Sequence, residues 1–212
     1  MVDLEPEQVA RCIDEVGVGY MFAVRHHAAM RHAIGPRREL ALRTIFNLLG
    51  PLTNPASAPH LLVGVFDERW QRPFAEVLER LGARHVLVVH SADGLDEVSI
   101  AERTRVVELR GGDIVDYEVV PEQFGLQRCA LDELVVADAA ESLALIRDAF
   151  SGQHAGARAM VALNAGAALY AAGVCSDWQT GVSLADDVMD SGQALEKMNE
   201  LAQFSTLLTT TA

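Results

Sequence analysis

The first residues that could do chemistry form a short cationic segment in an otherwise acidic chain. Between Arg25 and Arg43 the sequence carries five arginines and three histidines. Such a run can simply be the solvated face of a helix. Zinc binding is disfavoured because His27 and His32 have no companion cysteine or carboxylate at a zinc-like spacing. Arginine presents a rigid fork of donors that matches a carboxylate or a phosphate, so the segment favours binding of an anion.

The second group is an acidic turn that runs from Asp93 to Ser99 with the sequence Asp-Gly-Leu-Asp-Glu-Val-Ser. Its adjacent carboxylates, Asp96 and Glu97, can approach one cation together. Magnesium commonly takes one or two protein carboxylates and completes its shell with water and substrate phosphates. An acidic segment with a glycine is also typical of a plain surface turn. The residues by themselves therefore leave both interpretations open, a magnesium site and a turn without a ligand.

A strand–helix–strand unit is predicted to position this acidic turn. Residues 61–66 and 85–90 are short apolar runs, typical of central strands covered on both faces. Residues 67–82 between them have the apolar spacing of a helix, with Asp67 as N-cap and Gly82 as C-terminal stop. The acidic turn directly follows the second strand. Open α/β sheets bind ligands beyond the carboxyl ends of their strands, so we expect the site at this edge.

The other elements complete an α/β fold, a central sheet flanked by helices. A hairpin is predicted over residues 104–110 and 113–120, with its turn at Gly111-Gly112. Helices are predicted over residues 5–16, 139–150, 154–172 and 184–208.

Composition excludes several classes of protein. The 30 acidic and 17 basic residues give a formal net charge of −13, which opposes the phosphate neutralisation on which nucleic-acid binding depends. No apolar run approaches the ~20 residues of a membrane span, and the acidic start lacks the profile of a secretory signal. The three cysteines have neither a disulfide pattern nor a metal-binding spacing. We therefore expect a cytoplasmic protein with no nucleic-acid or membrane partner.

Longer stretches of the sequence are specific enough to indicate a family. The segment Arg43-Thr44-Ile45-Phe46-Asn47-Leu48-Leu49-Gly50-Pro51-Leu52-Thr53-Asn54-Pro55 strongly resembles the signature of the anthranilate phosphoribosyltransferases of tryptophan biosynthesis. The resemblance includes His26 to Met30, where the family usually has proline at the position of Ala28. It continues in family order through Asp93 to Ser99, Asn164 to Tyr170 and Asp190 to Gly192, and so covers essentially the whole chain.

This resemblance implies a fold like that of nucleoside phosphorylases and phosphoribosyltransferases, with a helical hinge. By this resemblance the chain divides into residues 1–26, the start of an α/β domain, residues 27–55, a helical hinge segment with the substrate motif, and residues 56–212, the rest of the α/β domain. It implies an enzyme that transfers the phosphoribosyl group of phosphoribosyl diphosphate to anthranilate, uses Mg²⁺ and works as a homodimer. No residue is assigned as a catalytic acid or base. Positioning and charge stabilisation by the metal are expected to matter more than a strong base.

The resemblance also assigns residues to binding sites. Arg37 matches the arginine that holds the carboxylate of anthranilate. The other residues assigned to the substrate channel are His27, Gly50 and Pro51. Asp96 and Glu97 match the metal ligands, which favours the magnesium site over the plain turn.

No glycine-rich cluster that could cradle a diphosphate is found, since none of the 16 glycines belongs to a GxGxxG pattern. Members of the resembled family carry such a loop before the region seen here. We therefore expect the chain to be the carboxyl-terminal portion of such an enzyme and to be inactive by itself. The alternatives are a nucleobase phosphorylase or transferase of the same fold, and a noncatalytic nucleic-acid-binding homologue, which the net charge disfavours.

Overall fold

The computed structural model describes residues 2–22, His26 and residues 50–210. The chain divides into two compact units. Unit 1 comprises Met1–Pro55 and Gln193–Ala212, and unit 2 comprises Ala56–Gly192. Within the described ranges, no helix has both the length and the apolar character needed to cross a membrane.

The regular elements include both helices and strands, as the α/β prediction requires. The helices are α1 (Pro6–Val16), α2 (Gln71–Arg80), α3 (Ala139–Phe150), α4 (Ala155–Ala171), α5 (Trp178–Asp190) and α6 (Gln193–Thr210). The strands are β1 (His60–Gly64), β2 (His85–Ser91), β3 (Thr104–Arg110) and β4 (Asp113–Val119). Short 3₁₀ helices lie at Glu68–Trp70, Pro121–Phe124 and Leu131–Leu134.

In unit 1, α1 packs against α6. The buried members of their apolar cluster are Leu4, Val9, Cys12 and Leu208. Two side-chain hydrogen bonds join the helices: Gln8 Nε2 donates to the Leu208 carbonyl at 2.8 Å, and Lys197 Nζ donates to the Val16 carbonyl at 2.9 Å. The first predicted helix is therefore confirmed, and its apolar face lies on the last helix of the chain.

Unit 2 is built on a four-stranded sheet in the order β1-β2-β3-β4. Strands β1 and β2 are parallel, with His60 opposite His85, and the remaining pairs are antiparallel. Every residue from His85 to Val89 is buried. Because neighbouring side chains of a strand point to opposite faces, both faces of β2 must be covered. The helices α2 and α4 both pack against β2 and provide this cover.

The helices α4 and α5 approach closely because glycines face each other. A Cβ added to Gly166 would lie 2.6 Å from the backbone nitrogen of Val182, and one added to Gly181 would lie 2.5 Å from the Gly166 carbonyl oxygen. The Trp178 indole nitrogen also donates to the carbonyl oxygen of Leu163 at 3.0 Å. The helix that is rich in alanine and glycine thus has the close interior packing that its composition predicts.

The hairpin and the predicted helices over 139–150 and 154–172 are confirmed to within one or two residues. The predicted single helix over 184–208 is wrong. Two helices occupy this region, because Gly192 adopts a left-handed conformation (φ 79°) that ends α5, and Asp177 caps the start of α5 by accepting from the Thr180 amide at 2.8 Å. Because the apolar residues continue on both sides of Gly192, the sequence pattern does not reveal this interruption.

Two smaller differences concern the strand–helix–strand unit. The segment predicted as one helix over 67–82 begins as a 3₁₀ turn, and Pro73 lies at the third position of α2, where a missing amide removes no helical hydrogen bond. Strand β1 ends at Gly64 and lies at the edge of the described sheet, whereas the sequence predicted a central strand that continues to Phe66.

A buried polar network joins the amino-terminal end of β2 to β3, β4 and α4. Glu108 is only 7% exposed. One of its oxygens lies 2.8 Å from His85 Nε2 and also accepts from the Tyr170 hydroxyl at 2.8 Å, while the other accepts from the Tyr117 hydroxyl at 2.8 Å. Desolvation, followed by the negative charge of Glu108, raises the pKa of Tyr117, which therefore stays a neutral donor. These hydrogen bonds link β2, β3, β4 and α4 at the amino-terminal end of β2. The acidic turn follows the other end of the same strand.

Replacement of Glu108 by leucine should lower the free energy of unfolding by about 3 kcal/mol, because the buried His85 ring and two partly buried tyrosine hydroxyls lose their partner. Chemical denaturation measures the change. The control is Glu118→Leu, at an exposed ion pair with Arg103 of which both side chains are more than half exposed, and this change should stay within about 0.5 kcal/mol. Equal effects of the two substitutions would contradict the structural role of the network.

Candidate functional site

The acidic turn lies in the loop between β2 and β3, residues 92–103, at the carboxyl end of β2. Its first part is a tight turn in which the Ser91 amide donates to the Leu95 carbonyl at 3.0 Å and Gly94 adopts a positive φ of 91°. The base of the loop is closed by the Ala92 amide, which donates to the Arg103 carbonyl at 2.9 Å. The loop therefore has a defined backbone on the strand edge where the sequence predicts the site.

Asp93 organises the inside of this loop. Its carboxylate accepts hydrogen bonds from the Ser91 hydroxyl, from the Ser99 hydroxyl at 2.5 Å and from the Leu95 amide at 3.3 Å. Desolvation acts to raise the pKa of Asp93, but these hydrogen bonds outweigh it and hold the pKa below its ordinary value. Both carboxylate oxygens are occupied by donors of the loop itself, so Asp93 has a structural role.

Ser99 continues the same network toward β3. While its hydroxyl donates to Asp93, its oxygen accepts from the amides of Ala101 at 2.9 Å and Glu102 at 3.2 Å. The Ser99 amide in turn donates to Thr104 Oγ1 at 3.0 Å, and both Ser99 and Thr104 are buried. The return half of the loop is thus fixed by side-chain hydrogen bonds where no regular ladder exists.

Gly64 permits the centre of the loop to lie against β1. A Cβ built on Gly64 would fall 1.4 Å from the carbonyl oxygen of Asp96, well inside van der Waals contact. Only a residue without a side chain fits at this position. A glycine within an apolar strand is a known sign of close backbone approach, although the sequence does not say which backbone approaches.

On the other side of the acidic pair, Asn164 of α4 holds the backbone of Val98. Its Oδ1 accepts from the Val98 amide at 3.0 Å, and its Nδ2 donates to the Val98 carbonyl at 2.8 Å. The same Nδ2 donates to the Met160 carbonyl at 3.0 Å. One side-chain amide thereby satisfies both backbone groups of the residue that follows Glu97.

Asp96 and Glu97 themselves are exposed. Desolvation of the carboxyl group, followed by the adjacent charge of Asp96, raises the pKa of Glu97 above its ordinary value. In the part of the chain that the structure describes, neither carboxylate forms an ion pair with a basic side chain. Two neighbouring carboxylates without a basic partner among the described residues have the donor chemistry that suits Mg²⁺.

The described residues include no group of three or more His, Cys, Asp and Glu side chains that could hold a metal ion. A structural cage made of protein ligands is therefore not present in these ranges. A site with two carboxylates suits a cation that takes the rest of its shell from water and from a bound phosphate.

A cavity of about 480 Å³ opens beside the loop. Apolar side chains from residues 131–136, α3 and α4 form most of its lining, among them Leu134, Ile146 and Met160. Glu97 is the charged residue among those that line it. This apolar surface accounts for the loss of solvation at the Glu97 carboxyl.

The structure places the other predicted site residues as follows. Gly50 and Pro51 have helical backbone in unit 1, and the Thr53 amide donates to the Gly50 carbonyl at 3.3 Å. His27 and Arg37 lie outside the described residues. Sequence analysis missed the positions that fix the loop. Of these, Gly64 could be recognised as a glycine within an apolar strand. Asn164 begins the segment Asn164 to Tyr170, which carries the family resemblance but to which the sequence analysis gives no role.

Residues 1–195 match the model of a protein family described as the glycosyl transferase family, a/b domain. The chain belongs to this family. Among its curated relatives, the anthranilate phosphoribosyltransferase of Thioalkalivibrio sulfidiphilus is 55% identical over 96% of this chain, and that of Chromohalobacter salexigens is 56% identical over 98%. The chain spans about 60% of the length of these relatives. The resemblance to anthranilate phosphoribosyltransferases is confirmed.

Solved structures of this glycosyl transferase family agree with the fold. Anthranilate phosphoribosyltransferase from Thermus thermophilus matches with a TM-score of 0.88 and 42% identity, over 97% of this chain and 61% of that chain. The Saccharomyces cerevisiae enzyme in complex with PRPP and Mg matches with a TM-score of 0.86 and 21% identity, over 97% of this chain and 59% of that chain. At this lower identity the match concerns the fold alone, and the predicted fold class is confirmed.

Alanine at Gly64 should displace the loop, because its Cβ would overlap the Asp96 carbonyl. We expect a loss of about 1–3 kcal/mol in the free energy of unfolding and faster hydrogen exchange at loop amides such as those of Leu95 and Val98. The β3–β4 turn at Gly111-Gly112 serves as an internal reference that should not change. Unaltered exchange throughout residues 92–103 would refute the close contact.

Proposed function

We propose that the protein transfers the phosphoribosyl group of phosphoribosyl diphosphate to anthranilate. The observation that carries this proposal is the 55% identity, over 96% of the chain, to a relative with the name anthranilate phosphoribosyltransferase. The names of two yeast complexes, one with 4-fluoroanthranilate and one with PRPP and Mg, are consistent with both substrates. An independent support is the Asp96–Glu97 pair, which lies on a hydrogen-bonded loop and has no basic partner among the described residues.

In this reaction the amine nitrogen of anthranilate forms a bond to the anomeric carbon of the ribose. The bond from that carbon to the diphosphate oxygen breaks, diphosphate leaves with the electron pair, and the amine loses a proton. Positive charge develops on the ribose and negative charge on the leaving group. The protein must therefore hold two anionic substrates in alignment and stabilise the charge of the departing diphosphate.

Asp96 and Glu97 are the residues that would hold the metal. A bound Mg²⁺ would neutralise charge on the diphosphate and orient it. Without a cation, both carboxylates would repel that same group. The loop prepares the pair for this role, because the hydrogen bonds of Asp93 and Ser99 fix the backbone on either side of the pair. Within the described ranges, no basic side chain forms an ion pair with its carboxylates.

The substrate side of the proposal rests on the resemblance. Arg37 would hold the carboxylate of anthranilate by a charge-assisted hydrogen bond. The residues that would line the same channel are His27, Gly50 and Pro51. We further propose that the protein works as a homodimer in the cytoplasm, as the resembled family implies.

Conversion of the pair to Asp96→Asn and Glu97→Gln in the full-length protein should raise the Mg²⁺ concentration needed for half-maximal rate by about tenfold or more, because uncharged amides are weak ligands for Mg²⁺. Magnesium titration of anthranilate consumption, followed by its fluorescence, gives the value. Glu102→Gln is the matched control on the same loop, where the carboxylate faces Arg128 at 3.5 Å. An unchanged magnesium requirement in the double variant would leave the loop as a plain acidic turn.

Substitution of Arg37 by alanine should weaken anthranilate binding by about 1.5–3 kcal/mol, as expected for a lost charged hydrogen bond. Steady-state kinetics of the full-length protein would show this as a raised KM for anthranilate, with KM for phosphoribosyl diphosphate little changed. Arg38→Ala controls for the general loss of positive charge. A KM for anthranilate within twofold of the original would reject the assignment of Arg37.

A second outcome concerns the reaction itself. If the unsubstituted protein carried out phosphorolysis of nucleosides instead of anthranilate transfer, the alternative, a nucleobase enzyme of the same fold, would be favoured.

A further inference from the structure

The backbone around Glu97 is fixed from two sides by different elements. On the amino-terminal side, the Asp96 carbonyl lies against Gly64 of β1. On the carboxyl-terminal side, Val98 is buried and both of its backbone groups bind Asn164. Because the side chains of Asp96 and Glu97 are themselves exposed, these contacts fix the position of the backbone from which the two side chains extend.

Asn164 is well suited to hold a backbone because its amide has the same donor and acceptor as a peptide group. The two contacts to Val98 also fix which end is oxygen and which is nitrogen, since the oxygen must face the amide and the nitrogen the carbonyl. The third hydrogen bond, to Met160, uses the second hydrogen of the same nitrogen. A carboxylate in this position could accept from Val98 but could donate to neither carbonyl.

The helix that carries Asn164 provides a firm base. Its neighbour Leu163 is fully buried, and the Leu163 carbonyl accepts from the Trp178 indole. Two residues beyond Asn164, Gly166 allows α4 and α5 to touch. Asparagine is a poor helix former in a helix interior, so packing and helix propensity alone would favour an apolar residue or alanine at this position.

We propose that Asn164 is a positioning residue for the metal, which sets the affinity of the Asp96–Glu97 pair for a divalent cation by holding the backbone of Val98. The inference rests on the proposed function, because it assumes that this pair is the metal site. Asn164 reaches the metal through the loop and is not itself a ligand. Residues that orient metal ligands commonly change metal affinity by 10–100-fold when they are replaced.

A residue with a purely structural role would lower stability without a specific effect on metal binding. The matched comparison is Trp178→Phe, which removes a buried hydrogen bond to the same helix, at Leu163, but leaves the bond from Asn164 to the loop in place. Asn164→Leu removes the contacts to Val98. Asn164→Asp keeps the shape of the side chain and tests the two donated hydrogen bonds should the leucine variant fail to fold.

The experiment measures Mn²⁺ binding to the full-length protein by electron paramagnetic resonance, with thermal unfolding and hydrogen exchange of the Val98 amide beside it. We expect Asn164→Leu and Asn164→Asp to weaken Mn²⁺ binding by about tenfold or more and to accelerate exchange of the Val98 amide. At a similar loss of thermal stability, Trp178→Phe should leave Mn²⁺ affinity within about twofold. In the kinetics, the Mg²⁺ requirement of the Asn164 variants should rise while KM for anthranilate stays unchanged.

The double variant Asp96→Asn, Glu97→Gln separates the two proposals. If it binds Mn²⁺ as the original protein does, the pair is not the metal site, and the role of Asn164 is overturned together with it. If the double variant loses Mn²⁺ binding but the Asn164 variants retain it, only the positioning role is overturned. Equal loss of affinity in Asn164→Leu and Trp178→Phe would also overturn it, because the effect would then follow stability.

Discussion

The loop of residues 92–103, which carries the acidic turn, depends on contacts of its backbone with two neighbouring elements of unit 2. Asp96 lies against β1 only because Gly64 has no side chain, and Val98 is bound on both backbone groups by Asn164. Exposed carboxylates have little packing of their own, so their positions follow from the chain that carries them. A backbone that is ordered before a ligand arrives lowers the entropy lost on binding. Two residues that bear no charge, Gly64 and Asn164, thus help to set the position of the carboxylate pair.

The loop also shows how similar carboxylates acquire different roles. Asp93 and Glu97 are only four positions apart, yet their pKa values shift in opposite directions. The oxygens of Asp93 are filled by the hydroxyls of Ser91 and Ser99 and by a backbone amide, so its charge is stabilised within the loop. Among the described residues Glu97 has no such donor, and it lies beside an apolar cavity and the charge of Asp96. The first carboxylate therefore builds the loop, whereas the second has no donor among the described residues, as the proposed metal site requires.

The location of the acidic turn could be predicted from sequence because the order of elements is local information. An apolar strand followed at once by an acidic turn places carboxylates at a strand's carboxyl end, and β2 with residues 92–103 has this arrangement. Asn164 could not be predicted in the same way, since it lies 66 positions from Val98 and only packing of α4 brings them together. The break between α5 and α6 was missed because a single left-handed glycine interrupts an apolar pattern that continues on both sides.

The carboxylates near the two ends of β2 differ in how many hydrogen-bond donors face them. This difference explains how the fold tolerates the acidic turn. At the amino-terminal end, both carboxylate oxygens of Glu108 have hydrogen-bond partners, which are His85, Tyr117 and Tyr170. At the carboxyl-terminal end, two neighbouring carboxylates repel each other and lack donors within the described ranges, an arrangement that is unfavourable without a cation. Two features of β2 supply stability that does not depend on the loop. One is the hydrogen-bond network of Glu108 at its amino-terminal end, and the other is the run of buried apolar residues in the middle of the strand. The two carboxylates can then stay without a basic partner among the described residues. A cation bound at the proposed site would relieve their mutual repulsion, which would add to the affinity for that cation.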